Sequence, residues 1–482
     1  MSPFAIVHDG RVGFPIVPCR SAAELASALR GRVVHGDPSA RYEGVSTDSR
    51  SILPGELFVA LRGESFDGAA YLGEAARRGA AAALVSRFAT VAPGLPDEMA
   101  VVEVDDTLAA LGDLARRHRA EVFQGRAVFG ITGSAGKTST RGFLHEIVRP
   151  RGAVASEKSF NNAIGVPLTI LRLRGDEEFA VVEIGTNAPG EIQSLCDVAR
   201  PTIGIVTNVA AAHLEKLGSV EAVAREKGSL FRSLPASGAA IVNLCEPLVV
   251  AEARSLRCRV ITIGVDREAD FVAVSPRRDG DGSFFLLDGK IPVRLRVPGL
   301  FHVENALAAI AAAVTAGVPR AEAAERVSAF AGEKSRLSVS RLGGVAVVDD
   351  CYNSNPRSCS ASLRELGAGF PECRRIAVLG EMLELGAGSA KWHESVGEEA
   401  GRAAEIVVAV GAGAGGILLG AQRTGVPASR LFFARDAVDA ETCVLGLVRP
   451  GDAVLVKGSR RIGLERVVSA LNSRFGGAAR SR

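Results

Sequence analysis

Ala127-Val128-Phe129-Gly130-Ile131-Thr132-Gly133-Ser134-Ala135-Gly136-Lys137-Thr138 decides how the chain is read. Its first five residues form a short apolar run, the pattern of a strand buried on both faces. A glycine-rich turn follows, and a helical pattern opens at Lys137. Glycines in such a turn aim backbone N–H groups at an anion, and the helix N-terminus adds partial positive charge. Lys137 is placed to reach the β- and γ-phosphates of a nucleotide, and Thr138 to put its hydroxyl on Mg²⁺. The full pattern G-x-x-x-x-G-K-[ST] misses by one residue, because position 131 is Ile, while T-G-x-x-G-K-T is intact. The alternative is an ordinary glycine-rich strand-to-helix turn.

Outward from this loop, short apolar runs recur at Phe179–Ile184, Thr202–Thr207, Ala239–Asn243 and Val260–Val265, separated by helix-like stretches. This alternation implies a parallel sheet covered on both faces. Phe271–Val297 alternates like antiparallel strands around the turn Asp279-Gly280-Asp281-Gly282, and a helix is expected over Val303–Ala316. A further series, Val345–Val348, Ile376–Leu379, Ile406–Val410, Leu431–Ala434 and Ala453–Val456, reads as a second doubly wound sheet. Before the loop, strands are expected at Glu43–Ser46 and Leu57–Leu61, and helices at Tyr71–Arg78 and Leu108–Ala120. The fold class expected is α/β in three domains, 1–120, 121–332 and 333–482: a small N-terminal unit, a central phosphate-loop unit and a C-terminal Rossmann-like unit. A length of 482 residues agrees with about three domains.

Composition narrows the function. Hydrophobic residues make up 47% and charged residues 23%, a globular balance. The 57 Lys and Arg against 54 Asp and Glu, net charge +3, do not suit a dedicated nucleic-acid binder. No apolar run of membrane-spanning length and no signal peptide is expected. The eight cysteines, 19, 196, 245, 258, 351, 359, 373 and 443, form no C-x-x-C pair and read as reduced residues of a cytoplasmic protein.

Ligands in open α/β sheets bind at the carboxyl ends of strands, so polar residues there are the candidates. Glu183 ends the run Val181-Val182-Glu183 and offers hard oxygen to Mg²⁺; the alternative is a solvated carboxylate. His213 follows the strand Ile203–Thr207 and reads as a ligand or a structural histidine. Lys227, on a helical stretch, reads on its own as a surface lysine. Asp349-Asp350-Cys351-Tyr352-Asn353-Ser354-Asn355-Pro356 and Gly380-Glu381-Met382-Leu383-Glu384-Leu385-Gly386 are polar loops after adjacent strands of the third unit. Each alone suits helix capping; together they suggest a binding crevice.

These motifs, with Ser46-Thr47-Asp48-Ser49-Arg50, Asn161-Asn162-Ala163-Ile164-Gly165-Val166-Pro167 and Val456-Lys457-Gly458-Ser459-Arg460, resemble the Mur ligase family over nearly the whole chain from about residue 30. The D-D-x-Y-N-x-N-P loop most resembles the branch that adds D-alanyl-D-alanine to UDP-N-acetylmuramoyl-tripeptide. The resemblance implies an ATP-dependent amide ligase of peptidoglycan precursor synthesis. ATP would phosphorylate the terminal carboxylate of the tripeptide, and the dipeptide amine would attack the acyl phosphate. It implies catalytic roles for Lys137, His213 and Lys227, and ATP contacts from Gly133, Ser134, Ala135, Gly136, Lys137, Thr138, Ser139, Asn305, Arg336 and Asp350. It implies two Mg²⁺ ions held by Thr138, Glu183, His213 and a carbamylated Lys227. Substrate contacts are implied for Asp48, Ser49, Arg50, Asn161, Asn162, Tyr352, Asn353 and Asn355, in a monomer. Phe301 and His302 depart from this branch, which usually has His and Asn there, and are more like the sister ligase that adds the third amino acid. That sister, another amide ligase of the same fold, and a nucleotide-gated binding module are the competing readings.

Overall fold

The computed structural model describes residues 7–8, 11–12, 21–63, 66–87, 89 and 94–477. Three principal sheets follow one another along the chain, and each is mixed. The first has five strands, in the order Arg32–His35, Ala100–Val104, Ala82–Ser86, Glu56–Val59, Gly44–Ser46. All are parallel except the edge strand Arg32–His35. The helix Thr107–Val122, capped by the Asp106 carboxylate on the Leu108 and Ala109 amides, leads out of this unit. Its Leu111, Leu114 and Ala115 pack in one core with Val182, Ile184, Leu195 and Val198 of the next sheet's layer.

The central sheet has nine strands, ordered Ile291–Leu295, Gly282–Leu287, Phe271–Asp279, Arg259–Val265, Ala239–Asn243, Ile203–Val206, Ala127–Thr132, Phe179–Glu183, Ala153–Ala155. Six neighbouring pairs are parallel, and the Phe271–Leu295 ribbon is antiparallel. The chain starts at Ala127–Thr132, builds to one side through 153–183, and then returns to build the other side from Ile203. The phosphate-loop strand is therefore the topological switch point, where two βα connections diverge and leave a crevice. Its neighbours are Phe179–Glu183 and Ile203–Val206, so the loop lies between Glu183 and Asn208. Both faces of these strands are buried, which explains their unbroken apolar runs; each buried Val, Ile or Phe contributes about 1.5–3 kcal/mol.

The third sheet runs Ser338–Leu342, Val345–Asp350, Asp452–Lys457, Arg374–Gly380, Ile406–Val410, Leu431–Ala434, parallel except for the first strand. Register sets Asp350 opposite Lys457 at the carboxyl ends of adjacent strands.

The structure departs from the sequence expectations at sheet edges and inside the first sheet. Five strands of the principal sheets were not expected: Arg32–His35, Ala82–Ser86, Ala100–Val104, Ala153–Ala155 and Ser338–Leu342. The N-terminal helix expected from Tyr71 begins at Leu72, after a 3₁₀ turn over Gly68–Tyr71 capped by Asp67. Among the described residues all cysteines are free; Cys19 lies outside them.

Candidate active site

The loop after Thr132 takes its shape from two glycines. Gly136 has φ +84°, the left-handed region, and a Cβ there would stand 2.5 Å from Asn305 Oδ1. A Cβ on Gly133 would collide with Thr207 Oγ1 at 1.8 Å. Asn208 clamps the crest of the loop: its Oδ1 accepts from Ala135 N at 3.0 Å and its Nδ2 donates to Ala135 O at 2.9 Å. Thr207 Oγ1 donates to the same carbonyl at 2.6 Å, and Ser134 N donates to Asn208 O at 3.1 Å. The helix Lys137–Val148 then begins with free N–H groups at the crevice. Lys137 folds back over the loop, its Nζ donating to Gly133 O at 2.7 Å. Asn208 is not among the residues expected at the site; its signal in the sequence is a polar residue directly after the apolar strand Ile203–Val206.

Glu183 is 1% exposed. Its Oε1 accepts from Asn161 Nδ2 at 2.8 Å, while Oε2 is buried with no hydrogen-bond partner. A buried carboxylate oxygen without a donor is costly unless a cation takes its place. Thr138 is also buried and lines the same cavity, and these donors fit a hard divalent ion. Among the described residues no three or more His, Cys, Asp or Glu side chains cluster as a metal site. Any ion here would therefore depend on other oxygen donors too, such as Thr138 and phosphate. Asn162 is spent on structure: its Oδ1 accepts from the Ile164 and Gly165 amides at the start of the helix Gly165–Leu171.

Lys227 is only 2% exposed, so its reading as a surface lysine is overturned. The helix Val220–Arg232 turns this residue inward, and burial, with Lys137 close by, pushes its amine well below the usual lysine range. Burial likewise lowers Lys137, against the pull of Glu183, and lowers Arg141. His213 is lowered by burial first, then by Lys227 and Lys137, against Glu384. The site is thus desolvated and rich in cations, an arrangement that awaits anions. His302, stacked on Phe301 with ring centroids 4.4 Å apart, is buried and pushed down to about 4. It stands next to Asn305, whose Nδ2 is 3.4 Å from His302 Nδ1.

The third unit closes the other side. Asp350 Oδ2 accepts from Lys457 Nζ at 2.6 Å and from Ser362 Oγ at 2.6 Å, and Oδ1 accepts from Leu337 N at 3.1 Å. Lys457 Nζ also donates to Asn353 O at 3.1 Å. Arg336 lies over the Tyr352 ring, 3.9 Å from its centroid. Asn355 caps the helix Pro356–Gly369 in a reciprocal box with Ser358, and its Nδ2 reaches Ser134 O of the phosphate loop at 3.1 Å.

The two loops line one cavity of about 1010 Å³. Ser134 to Ser139 line it, as do Asn161, Asn162, Glu183, His213, Asn305, Arg336, Asp350, Tyr352, Asn353 and Asn355. Gly133 and Lys227 do not line it, nor do Asp48, Ser49 and Arg50. Arg50 instead forks onto the Asp48 carboxylate at 2.8–2.9 Å, holding it below its usual range, and Ser49 Oγ donates to Glu74 at 3.1 Å.

Family models cover most of the chain: the Mur ligase catalytic domain over residues 41–119, the middle domain over 131–313 and the glutamate ligase domain over 335–460. A UDP-N-acetylmuramoyl-tripeptide–D-alanyl-D-alanine ligase of Mycobacterium tuberculosis is 37% identical, covering 94% of this chain and 97% of the relative. The chain belongs to the Mur ligase family. The Escherichia coli ligase of the same name is 34% identical over 93% of this chain and 97% of its own. Among solved structures, MurF from Acinetobacter baumannii superposes with a TM-score of 0.83 at 28% identity, over 95% of this chain and 99% of the other. MurF from Thermotoga maritima in complex with ADP gives 0.77 at 26% identity, over 90% and 98%. The three-sheet α/β architecture is thus that of a Mur ligase.

Proposed function

We propose that this chain is an ATP-dependent ligase that joins D-alanyl-D-alanine to the terminal carboxylate of UDP-N-acetylmuramoyl-tripeptide. The observation that carries the reading is the single cavity in which Asn355 of the acceptor loop meets Ser134 of the phosphate loop. The named relatives and the MurF structures support the substrate pair. Residues 1–120 hold the UDP-linked substrate through Asp48, Ser49 and Arg50, 121–332 hold ATP, and 333–482 present the amine. The enzyme acts as a monomer in the cytoplasm; among the described residues no helix is long and apolar enough to cross a membrane.

A carboxylate is a poor electrophile, so its oxygen first attacks the γ-phosphorus and ADP departs. The amine nitrogen of the dipeptide then attacks the acyl carbon, loses a proton, and phosphate leaves with the C–O bonding pair. Lys137 and the amides of Ser134 to Thr138 hold the phosphates and offset the repulsion between two approaching anions. Asn305 and Arg336 hold the nucleotide, with Ser139 and Asp350 alongside. Asn161, Tyr352 and Asn353 line the path of the peptide and the amine. Thr138 and Glu183 would hold one Mg²⁺ and His213 would help hold a second; when bound, such ions withdraw charge from the phosphoryl oxygens. A neutral, desolvated Lys227 amine is the form that adds to CO₂ with release of a proton; the carbamate so formed would offer an anionic oxygen to the metal site.

The test is ligation read by mass. UDP-muramoyl-tripeptide, D-Ala-D-Ala and ATP should give the pentapeptide product plus ADP and phosphate. UDP-muramoyl-dipeptide with a diamino acid tests the sister reading, favoured only by Phe301-His302, and should give no product.

A further inference from the structure

His213 and Glu384 meet across the junction of the central and C-terminal units, and neither partner belongs to the other's sheet. His213 Nδ1 lies 2.6 Å from Glu384 Oε2. A second link joins the same segments, Glu215 N donating to Glu384 O at 3.1 Å. Both residues sit in the left-handed region, His213 at φ +55° and Glu384 at φ +65°. Such backbone persists in non-glycine residues where the surroundings over-determine it. The Glu384 loop is itself fixed from behind. Met382 N donates to His393 Nε2 at 2.9 Å, and Leu383 N to Ser459 Oγ at 2.9 Å. His393 Nδ1 donates in turn to Ser389 O at 2.8 Å, so its acceptor nitrogen is set. Glu384 is thus a braced carboxylate aimed at a histidine that lines the cavity.

A carboxylate accepting from one ring nitrogen fixes both the tautomer and the ring plane, and leaves the other nitrogen as a lone-pair donor. His213 lines the cavity, and the contact to Glu384 engages only its Nδ1. We propose that Glu384 is a positioning residue: by docking the C-terminal unit it holds His213 with Nδ1 protonated and Nε2 presented as a cation ligand, so that the cation site is completed only when the units are closed. This rests on the reading of His213 as a metal ligand. It adds that the third unit, besides bringing the amine, finishes the metal site of the second. Phosphoryl transfer would then be held back until the acceptor side is in place.

The experiment uses the full chain with the non-hydrolysable nucleotide adenosine 5′-(β,γ-imido)triphosphate, UDP-muramoyl-tripeptide and Mn²⁺ as probe. Glu384→Ala removes the carboxylate but keeps the backbone carbonyl that accepts from Glu215, so docking can be checked independently by small-angle scattering. Glu384→Gln keeps an acceptor for Nδ1–H. The expected result is weaker binding of one Mn²⁺ by on the order of 10–100-fold in Glu384→Ala, with most of the affinity retained in Glu384→Gln. Ring ¹⁵N spectra, with His213→Asn assigning the signal, should show the Nδ1–H tautomer in wild type and a tautomer mixture in Glu384→Ala. Mn²⁺ affinity of Glu384→Ala within twofold of wild type, or an unchanged tautomer, overturns the proposal. Failure of the wild-type ligation assay with intact Mn²⁺ binding would instead count against the proposed reaction.

Discussion

In the proposed reaction, Lys137 is the residue on which the phosphate loop's chemistry turns. It is half-buried, folded against its own loop and not a member of the apolar cores, so Lys137→Ala should leave the fold intact. Ligation should fall by about 10² or more, since such a group stabilises developing phosphoryl charge. Near-normal turnover by the folded variant would remove the loop from the mechanism. Lys227 is different, being buried, with its amine pushed well below the usual lysine range. If it works as a carbamate, Lys227→Ala should be almost inactive and regain some rate in added acetate; a fully active variant returns it to packing. His302 carries a prediction about pH. Its folded value of about 4 lies below the ordinary 6.5, so the unfolded chain takes up the proton first. Its contribution to stability is complete above about pH 6.5 and is lost as the pH falls toward 4, by about 3 kcal/mol in all. The thermal midpoint of wild type should therefore drop more steeply over that range than that of His302→Phe. Parallel slopes would show that this imidazole is not what titrates.

At the scale of elements, the helix Pro356–Gly369 does two jobs through one side chain. Asn355 caps it and also reaches the phosphate loop. Loss of the cap alone costs about 1 kcal/mol, too little to unfold a sheet of six strands. Asn355→Ala should thus lower the melting temperature slightly but ligation strongly, with nucleotide binding retained; equal losses in both would assign the residue to stability alone. The elements also show what was legible in the sequence. Ala239–Asn243 and Ile406–Val410 were read to the residue, because sheet interiors demand continuous apolar side chains; Leu431–Ala434, an edge strand, was read too because its four residues are all apolar although Phe433 is half exposed. Arg32–His35 and Ser338–Leu342 were not, because edge strands are half solvated and their sequences carry no such run. At the site, residues that act through a motif, Lys137 and Thr138, were visible. Residues engaged by tertiary contact were less so: Asn208 was not singled out, and Lys457 and Glu384 were named only as members of their motifs, since nothing local distinguishes a clamp from a turn. Lys227 was misjudged as a surface residue because its charged helix neighbours hid the face it turns inward.

Across the whole molecule, the central and C-terminal units are joined by ion pairs, one of them at the cavity. Arg357 pairs with the buried Glu246, Arg278 with Glu365, and Arg341 with Asp281 at 2.6 Å. The stretch between the units holds Gly332, Ser335 and Leu337 at positive φ, and Glu333 pairs with Arg141 of the phosphate-loop helix. Asp350 shows how the far side depends on such pairing. Its partner Lys457 is 2% exposed, and stripping the partner from a buried charge costs about 3–5 kcal/mol. Asp350→Ala should therefore lower the melting transition of the C-terminal unit and impair ligation, while Asp350→Asn restores part of the stability. A fully active Asp350→Ala enzyme would separate the acceptor loop from the chemistry. The link between Asn355 and Ser134 spans 221 residues of chain, and it also has a meaning in time. At about 5–20 residues per second of synthesis, the nucleotide half of the cavity leaves the ribosome roughly 10–40 s before its other wall. A chain stalled in that interval holds a phosphate loop with no acceptor loop opposite, and is able to sequester nucleotide but not to pass an acyl group to an amine.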